Sequence, residues 1–195
     1  TFIIKTDSVL DYRVLAKTRD DAIGESFDKT AHFLDLGYPG GKIIDELASE
    51  GAPGTYDFPI PTFKEDTLDF SYSGLKTHVI NYLRNNSVEK KDLPDFLASF
   101  QRAAFETVFR SVRKLMEEKP LKQIVFGGGV AANSYLRKRA LELEEKFRCR
   151  VFFPPMEYCT DNGAMIGGIA YHLLKNKRIF KGQDVFSRSD FKKRY

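Results

Sequence analysis

The chain reads as an α/β domain in which helices flank a mixed sheet, and three observations predict it. Two β-rich runs, residues 1–5 and 12–17, are joined by Thr6-Asp7-Ser8, a hairpin signal. Two short apolar runs, Ile124-Val125-Phe126 and Val151-Phe152-Phe153, flank a helical stretch, the pattern of a parallel pair with a helical crossover. Between the hairpin and this pair, apolar residues recur at helical spacing over most of the chain.

Each element has its own signal. Asp20-Asp21 opens a helix to about residue 36, with Ile23, Phe27, Ala31 and Leu34 on one face. Either aspartate is expected as its cap, because a carboxylate is favoured at a helix start. Gly37-Tyr38-Pro39-Gly40-Gly41 breaks it, and a short helix follows over 42–50. Residues 51–66 carry proline and glycine and read as an ordered loop that covers or borders a site. Residues 69–74 lead into a helix over 75–83, and 85–91 form a polar, exposed turn. The longest helix spans 93–118. Its apolar positions (Leu93, Phe96, Leu97, Phe100, Ala104, Val108, Val112, Leu115) are spaced by three and four, which marks core rather than a cofactor box. Lys119-Pro120 ends it. A helix over about 132–147 separates the two apolar strands, and Pro154-Pro155 stops the second. The last helix, 160–176, is rich in glycine and alanine on one face, so it is expected to pack close to a neighbour. The basic residues 177–195 are expected to wrap the surface.

The totals bound the function. At 195 residues the chain is one large domain or two small ones. A composition 42% hydrophobic and 30% charged is that of an ordinary globular core and surface. The net charge of +4 suits contact with nucleic acid or phosphate but also an ordinary solvated surface. Cys149 and Cys159 follow no zinc or redox spacing, so free thiols in a reducing cytosol are expected. No apolar run is long enough to span a membrane, and the first residues do not read as a signal peptide. Thr1-Phe2-Ile3-Ile4 begins in mid-strand without Met, as expected of a piece of a longer chain.

The candidate site centres on Gly127-Gly128-Gly129, between a strand and a helix. Glycines let the backbone turn sharply and let a ligand come close. The following helix aims unpaired N–H groups at that point. Asn133 sits at the mouth of the turn, where its amide can donate and accept. For a lone triple glycine, a tight ligand-free connection is the commoner case. Ligands of α/β sheets bind at the carboxyl ends of strands, which brings Asn133 and Asp161 towards one crevice. Asp161 opens a helix after a strand, so it is either an N-cap, with Thr160 as the other choice, or a metal-binding carboxylate. Asp28, one turn after Glu25, and Asp45, four residues after Gly41, are either surface charges or partners of ribose hydroxyls. Gly40-Gly41 could let the backbone meet a ligand. His32, His78 and His172 have no paired spacing and read as structural.

Together these motifs are specific. Asp-Asp-Ala-Ile-Gly-Glu-Ser-Phe-Asp-Lys at 20–29, Tyr-Pro-Gly-Gly at 38–41, Asp-Phe-Ser-Tyr-Ser-Gly-Leu-Lys-Thr at 69–77, Gly-Gly-Gly-Val-Ala-Ala-Asn-Ser at 127–134 and Cys-Thr-Asp-Asn-Gly-Ala-Met-Ile at 159–166 resemble the signatures of the TsaD, or glycoprotease, family. These are tRNA N6-adenosine threonylcarbamoyltransferases. The resemblance implies an actin-like ATPase lobe (ASKHA, ribonuclease H-like), with residues 1–195 as the second, C-terminal lobe, a helical insertion at about 20–118, and the first lobe absent. It implies that Asp28, Gly41, Asp45 and Asn133 bind substrate. Asp161 is implied as a ligand of one divalent metal per subunit, iron or zinc, whose His-x-x-x-His ligands belong to the first lobe. Transfer of threonylcarbamoyl from threonylcarbamoyl-AMP to N6 of adenosine 37 in tRNAs reading ANN codons is the implied reaction. Threonylcarbamoyl-AMP or ATP is the implied nucleotide, and subunits of the TsaB and TsaE type are the implied partners, in the cytoplasm and off the membrane. A metallopeptidase and a non-catalytic, partner-binding actin-like lobe are the rival readings.

Overall fold

The computed structural model describes residues 1–63 and 65–178. The order is β1 (Phe2–Ser8), β2 (Asp11–Lys17), α1 (Ile23–Phe33), α2 (Gly40–Ala48), α3 (Ser73–Asn85), α4 (Leu93–Glu118), β3 (Gln123–Val125), α5 (Ser134–Phe147), β4 (Arg150–Phe152) and α6 (Gly163–Lys175). β1 and β2 pair antiparallel, and β3 and β4 pair parallel with Ile124 opposite Val151. Both predicted pairings are present. Among the described residues they form two separate two-stranded sheets. The hairpin turn is Val9-Leu10, two residues beyond the expected one. β1 continues through Thr6-Asp7-Ser8, where Asp7 meets Lys5 on its own strand and Arg13 across the pair.

The core is built on α4. Phe96, Leu97, Phe100, Ala104 and Phe105 are almost wholly buried, and α2 packs along this helix while α1 packs on α2. Phe27 of α1 meets Phe100 and Phe105 at centroid separations of 5.1 and 5.6 Å. Phe58, from the loop before α3, lies edge-on to Phe96 at 5.1 Å. α4 also supplies hydrogen-bond partners to residues 54–61 of that loop. Ser99 Oγ accepts from Gly54 N and Tyr56 N, and Arg110 donates to Pro61 O.

The predicted caps fall elsewhere. Ala22 precedes α1, and its N–H is reached by the Glu25 side chain. Asp20 instead serves the start of α3. It accepts from Tyr72 N at 2.8 Å, Ser73 N at 3.2 Å and Ser73 Oγ at 2.8 Å, and from the Ser71 hydroxyl. Asp21 is bridged by Lys76 at 2.6 Å and Lys29 at 2.9 Å. The first sequence motif therefore fastens the third. Sequence spacing could not show this, because the two lie some fifty residues apart in the chain. The expected wrapping of 177–195 falls almost wholly outside the described residues.

Burial pushes the Asp20 carboxyl up, but the hydrogen bonds from Ser71, Tyr72 and Ser73 outweigh it and leave the group below its ordinary value. The Lys76 hydrogen bond, and then Lys29, hold Asp21 down as well. A depressed folded carboxyl stabilises fully above the unfolded value near 3.8, and that stabilisation drains away as pH falls through the folded value. Asp20→Asn is expected to lower stability at neutral pH by roughly 2 kcal/mol. It should also flatten the acid limb of a melting-temperature profile below about pH 4. Parallel acid limbs in the two proteins would show that Asp20 contributes no such linkage.

Candidate functional site

β3 ends at Val125, and the chain turns through Gly127-Gly128-Gly129 into one turn of 3-10 helix, Gly129–Ala132, before α5 begins at Ser134. The helix expected from residue 132 is thus preceded by a tighter turn. Gly128 has φ +86°, a backbone state that disfavours side chains. A Cβ at any of the three glycines would meet nothing within 4 Å, so the turn is open on its outer side.

Asn133 is the N-cap of α5. Its Oδ1 accepts from Leu136 N at 2.9 Å, and its Nδ2 donates to Gln101 Oε1 of α4 at 2.7 Å. Both capacities predicted for this amide are real, and both are directed inward; the side chain is only 8% exposed. Asp45 of α2 reaches the same helix start. Its carboxylate accepts from Ser134 N at 2.8 Å and Ser134 Oγ at 2.9 Å. α2 and α5 therefore meet at the glycine turn.

Asp28 of α1 accepts from Gly40 N at 2.9 Å through one oxygen. It lines a groove of about 380 Å³ with Lys29, His32, Gly37 and Tyr38. The two glycines that follow divide the work. Gly40 lies where α1 and α2 cross, and a Cβ there would stand 2.6 Å from Ala31 Cβ and 2.9 Å from Phe27 O. At Gly41 a Cβ would meet nothing within 4 Å. Gly41, not Gly40, is the open one.

Asp161 is exposed, in the loop between Cys159 and α6. It is not the cap, and neither is Thr160. Asn162 caps α6, accepting from Met165 N at 3.0 Å. Arg137 joins this loop to the glycine turn. It donates to Ala131 O at 2.8 Å, to Pro154 O at 3.0 Å and to Cys159 Sγ at 3.5 Å, and lies 4.8 Å above the Phe153 ring. The structure thus gathers Asp45, Asn133 and the turn at one point and Asp28 and Gly41 beside it. It ties the Asp161 loop to the same turn through Arg137. Three partners went unnamed in the sequence reading. Gln101 could have been flagged as an amide one turn after Leu97, on the buried face of α4. Ser134 and Arg137 follow Asn133 by one and four residues, where side chains lean back over the turn. No group of three His, Cys, Asp or Glu that could hold a metal occurs among the described residues.

α6 buries none of its residues. Ile166, Tyr171 and Leu174 are each about 60% exposed or more, and a Cβ at Gly163, Gly167 or Gly168 would meet nothing. Its small face, expected to pack closely, is open.

Such an arrangement, a glycine turn at the carboxyl end of a parallel pair with a helix between its strands, defines an α/β domain of a recurring kind. Two crystal structures of HypF share the fold. One, from T. kodakarensis, superposes with a TM-score of 0.58 at 20% identity, over 78% of this chain and 20% of that one. The other, full-length HypF in its phosphate- and nucleotide-bound form, gives a TM-score of 0.56 at 20% identity, over 89% of this chain and 26% of its own. Sequence narrows the class. The family described as TsaD, tRNA N6-adenosine threonylcarbamoyltransferase, matches residues 1–168, and the chain belongs to it. Proteins of that name from Clostridium beijerinckii and Thermosipho africanus are each 44% identical over 173 residues, covering 88% and 89% of this chain and 51% and 52% of their own lengths. One from Mycoplasma capricolum is 46% identical over 177 residues, covering 88% of this chain and 55% of its own. The chain spans about half the length of these relatives.

The two glycines predict opposite responses. Gly40→Ala should cost about 1–3 kcal/mol by overpacking the α1–α2 crossing. Gly41→Ala should be neutral, or stabilise by up to about 1 kcal/mol, as a helical glycine replaced without a clash. Chemical denaturation of the two variants checks this, and equal losses would contradict it.

Proposed function

We propose that this chain forms part of an enzyme that transfers the threonylcarbamoyl group from threonylcarbamoyl-AMP to N6 of adenosine 37 in tRNAs reading ANN codons. The observation that carries the reading is the match to this transferase family over residues 1–168. The gathering of Asp28, Gly41, Asp45 and the 127–133 turn in one region supports it. In the reaction the N6 amine forms a bond to the carbamoyl carbon. The bond from that carbon to the phosphate oxygen breaks, AMP leaves, and N6 loses a proton.

The role of this half is to bind and orient. The open glycine turn offers a place where the nucleotide can come close to the backbone, while the first N–H groups of α5 are held by Asp45 and Asn133. Asp28 keeps one oxygen for Gly40 N and has the other available for a ribose hydroxyl. Asp45 is committed to Ser134, so its part is to fix the helix start, with exchange of one of these bonds for a ribose hydroxyl when nucleotide is bound. Asn133 acts from beneath, because its amide is spent on Leu136 and Gln101. Fixed groups of this kind accelerate a transfer by positioning.

A divalent metal, iron or zinc, does not fit the described residues by themselves. Asp161 is one exposed carboxylate, and a metal of this kind needs at least three protein ligands. Asp161 is therefore proposed as one ligand of a set completed from outside the described residues, and no step is routed through the ion. The net charge of +4 suits a tRNA partner. Subunits of the TsaB and TsaE type are the proposed protein partners, and the cytoplasm the proposed location. Among the described residues no helix is long and apolar enough to cross a membrane.

The test uses the intact protein and tRNA lacking the modification. Asp28→Asn and Asp161→Ala should each lower threonylcarbamoyladenosine, read by nucleoside mass spectrometry, by tenfold or more, as for loss of an orienting group. Asp161→Ala should also lower bound metal. If Asp161→Ala leaves metal content and modification at wild-type levels, its assignment fails. If the intact wild type modifies no tRNA but cleaves a glycoprotein, the transferase reading fails.

A further inference from the structure

The glycine turn and the Asp161 loop leave the ends of two different strands, which are joined by a short parallel pairing. We infer that Arg137 is a positioning residue that clasps the two loops into one surface, so that a nucleotide held at the turn is felt at the loop of Asp161. This rests on the proposed function and names a residue that reading does not use.

The geometry is that of a clasp. Arg137 stands one turn into α5, and its side chain leans back over the turn that precedes the helix. Nε–H takes Ala131 O in the 3-10 turn, while Nη2 takes Pro154 O and Cys159 Sγ, two points of the segment after β4. The guanidinium plane covers Phe153, which in turn stacks on Phe126 at 5.0 Å and 11°. Phe126 and Phe153 are the residues just after β3 and β4, so the stack continues the strand pairing and the guanidinium seals its end. Two carbonyls and a thiol at separate places need a planar donor fork. A lysine offers one point charge and no plane to cover the ring. Carbonyl oxygens carry only partial charge, so the cation is not consumed by an ion pair, and among the described residues Arg137 makes none.

Cys159 reports the state of the loop. It is 1% exposed and bonded to Arg137, and its thiol also faces Pro154 O and Pro155 O. Cys149, 6% exposed and bonded to Leu143 O on the far end of α5, is the internal control.

In the intact protein, alkylation of each cysteine is followed by peptide mass spectrometry, with and without bound ATP. For Arg137→Lys, Cys159 should label about tenfold faster than in the wild type while Cys149 is unchanged. ATP should slow Cys159 labelling about fivefold in the wild type and hardly at all in Arg137→Lys, a coupling of ordinary size. Arg137→Ala should repeat the pattern more strongly. If both cysteines open together, or the melting temperature falls with no selective opening of Cys159, Arg137 serves general stability and the clasp is refuted. The clasp alone also fails if ATP binds normally and protects Cys159 equally in wild type and Arg137→Lys. If the wild type binds no ATP or other adenosine nucleotide, the proposed function fails, and the role of the clasp in it fails too.

Discussion

The buried amide of Asn133 is the bond on which the candidate site depends. It donates to Gln101 on the longest helix and accepts from the first turn of α5, so one side chain ties the glycine turn to the core. A buried amide that loses a partner costs about 1–3 kcal/mol, which is a large part of the stability of a domain. The amide therefore has little freedom to exchange either bond for a ligand. What it contributes is placement: with Asn133 fixed, Ser134 presents its N–H and hydroxyl to Asp45, and Arg137 comes round above the turn. The chemistry at the surface is arranged by polar groups that do not themselves reach it.

Glycine divides between two physical roles in the same region. Gly40 is there because two helices cross too closely for a methyl group, so its value is in packing. Gly41 and the three glycines after β3 have empty space where a side chain would go. Only Gly128 among those three has a backbone angle that itself calls for glycine. A motif of adjacent glycines can thus hold one residue kept by the interior and one kept by the outside. The distinction is invisible in the letters.

Much of the fold was legible. The stripe from Leu93 to Leu115 predicted α4 with both its ends, because an amphipathic period over many turns is a strong signal. Both strand pairs were legible because turn formers and prolines bound them. Caps were not. Asp20 and Asp21 stand where a cap for α1 should be, yet one holds the start of α3 and the other two lysines. A carboxylate before a helix looks the same in sequence whichever helix it serves. For the candidate site, spacing pointed to Asn133 with Asp161, and only the family resemblance grouped Asp45 with Asn133. The inward turn of the Asn133 amide and the bridging by Arg137 were not, because both depend on what lies opposite in space.

Helix α6 has a different consequence. Its thirteen residues put isoleucine, tyrosine and leucine into water on a segment that buries none of its own residues among those described. Isolated helices of that length are marginal in water, and a broad oily surface on a dissolved protein invites self-association. With that helix uncovered, the chain would behave as a mild surfactant, crowding to air–water boundaries and column resins.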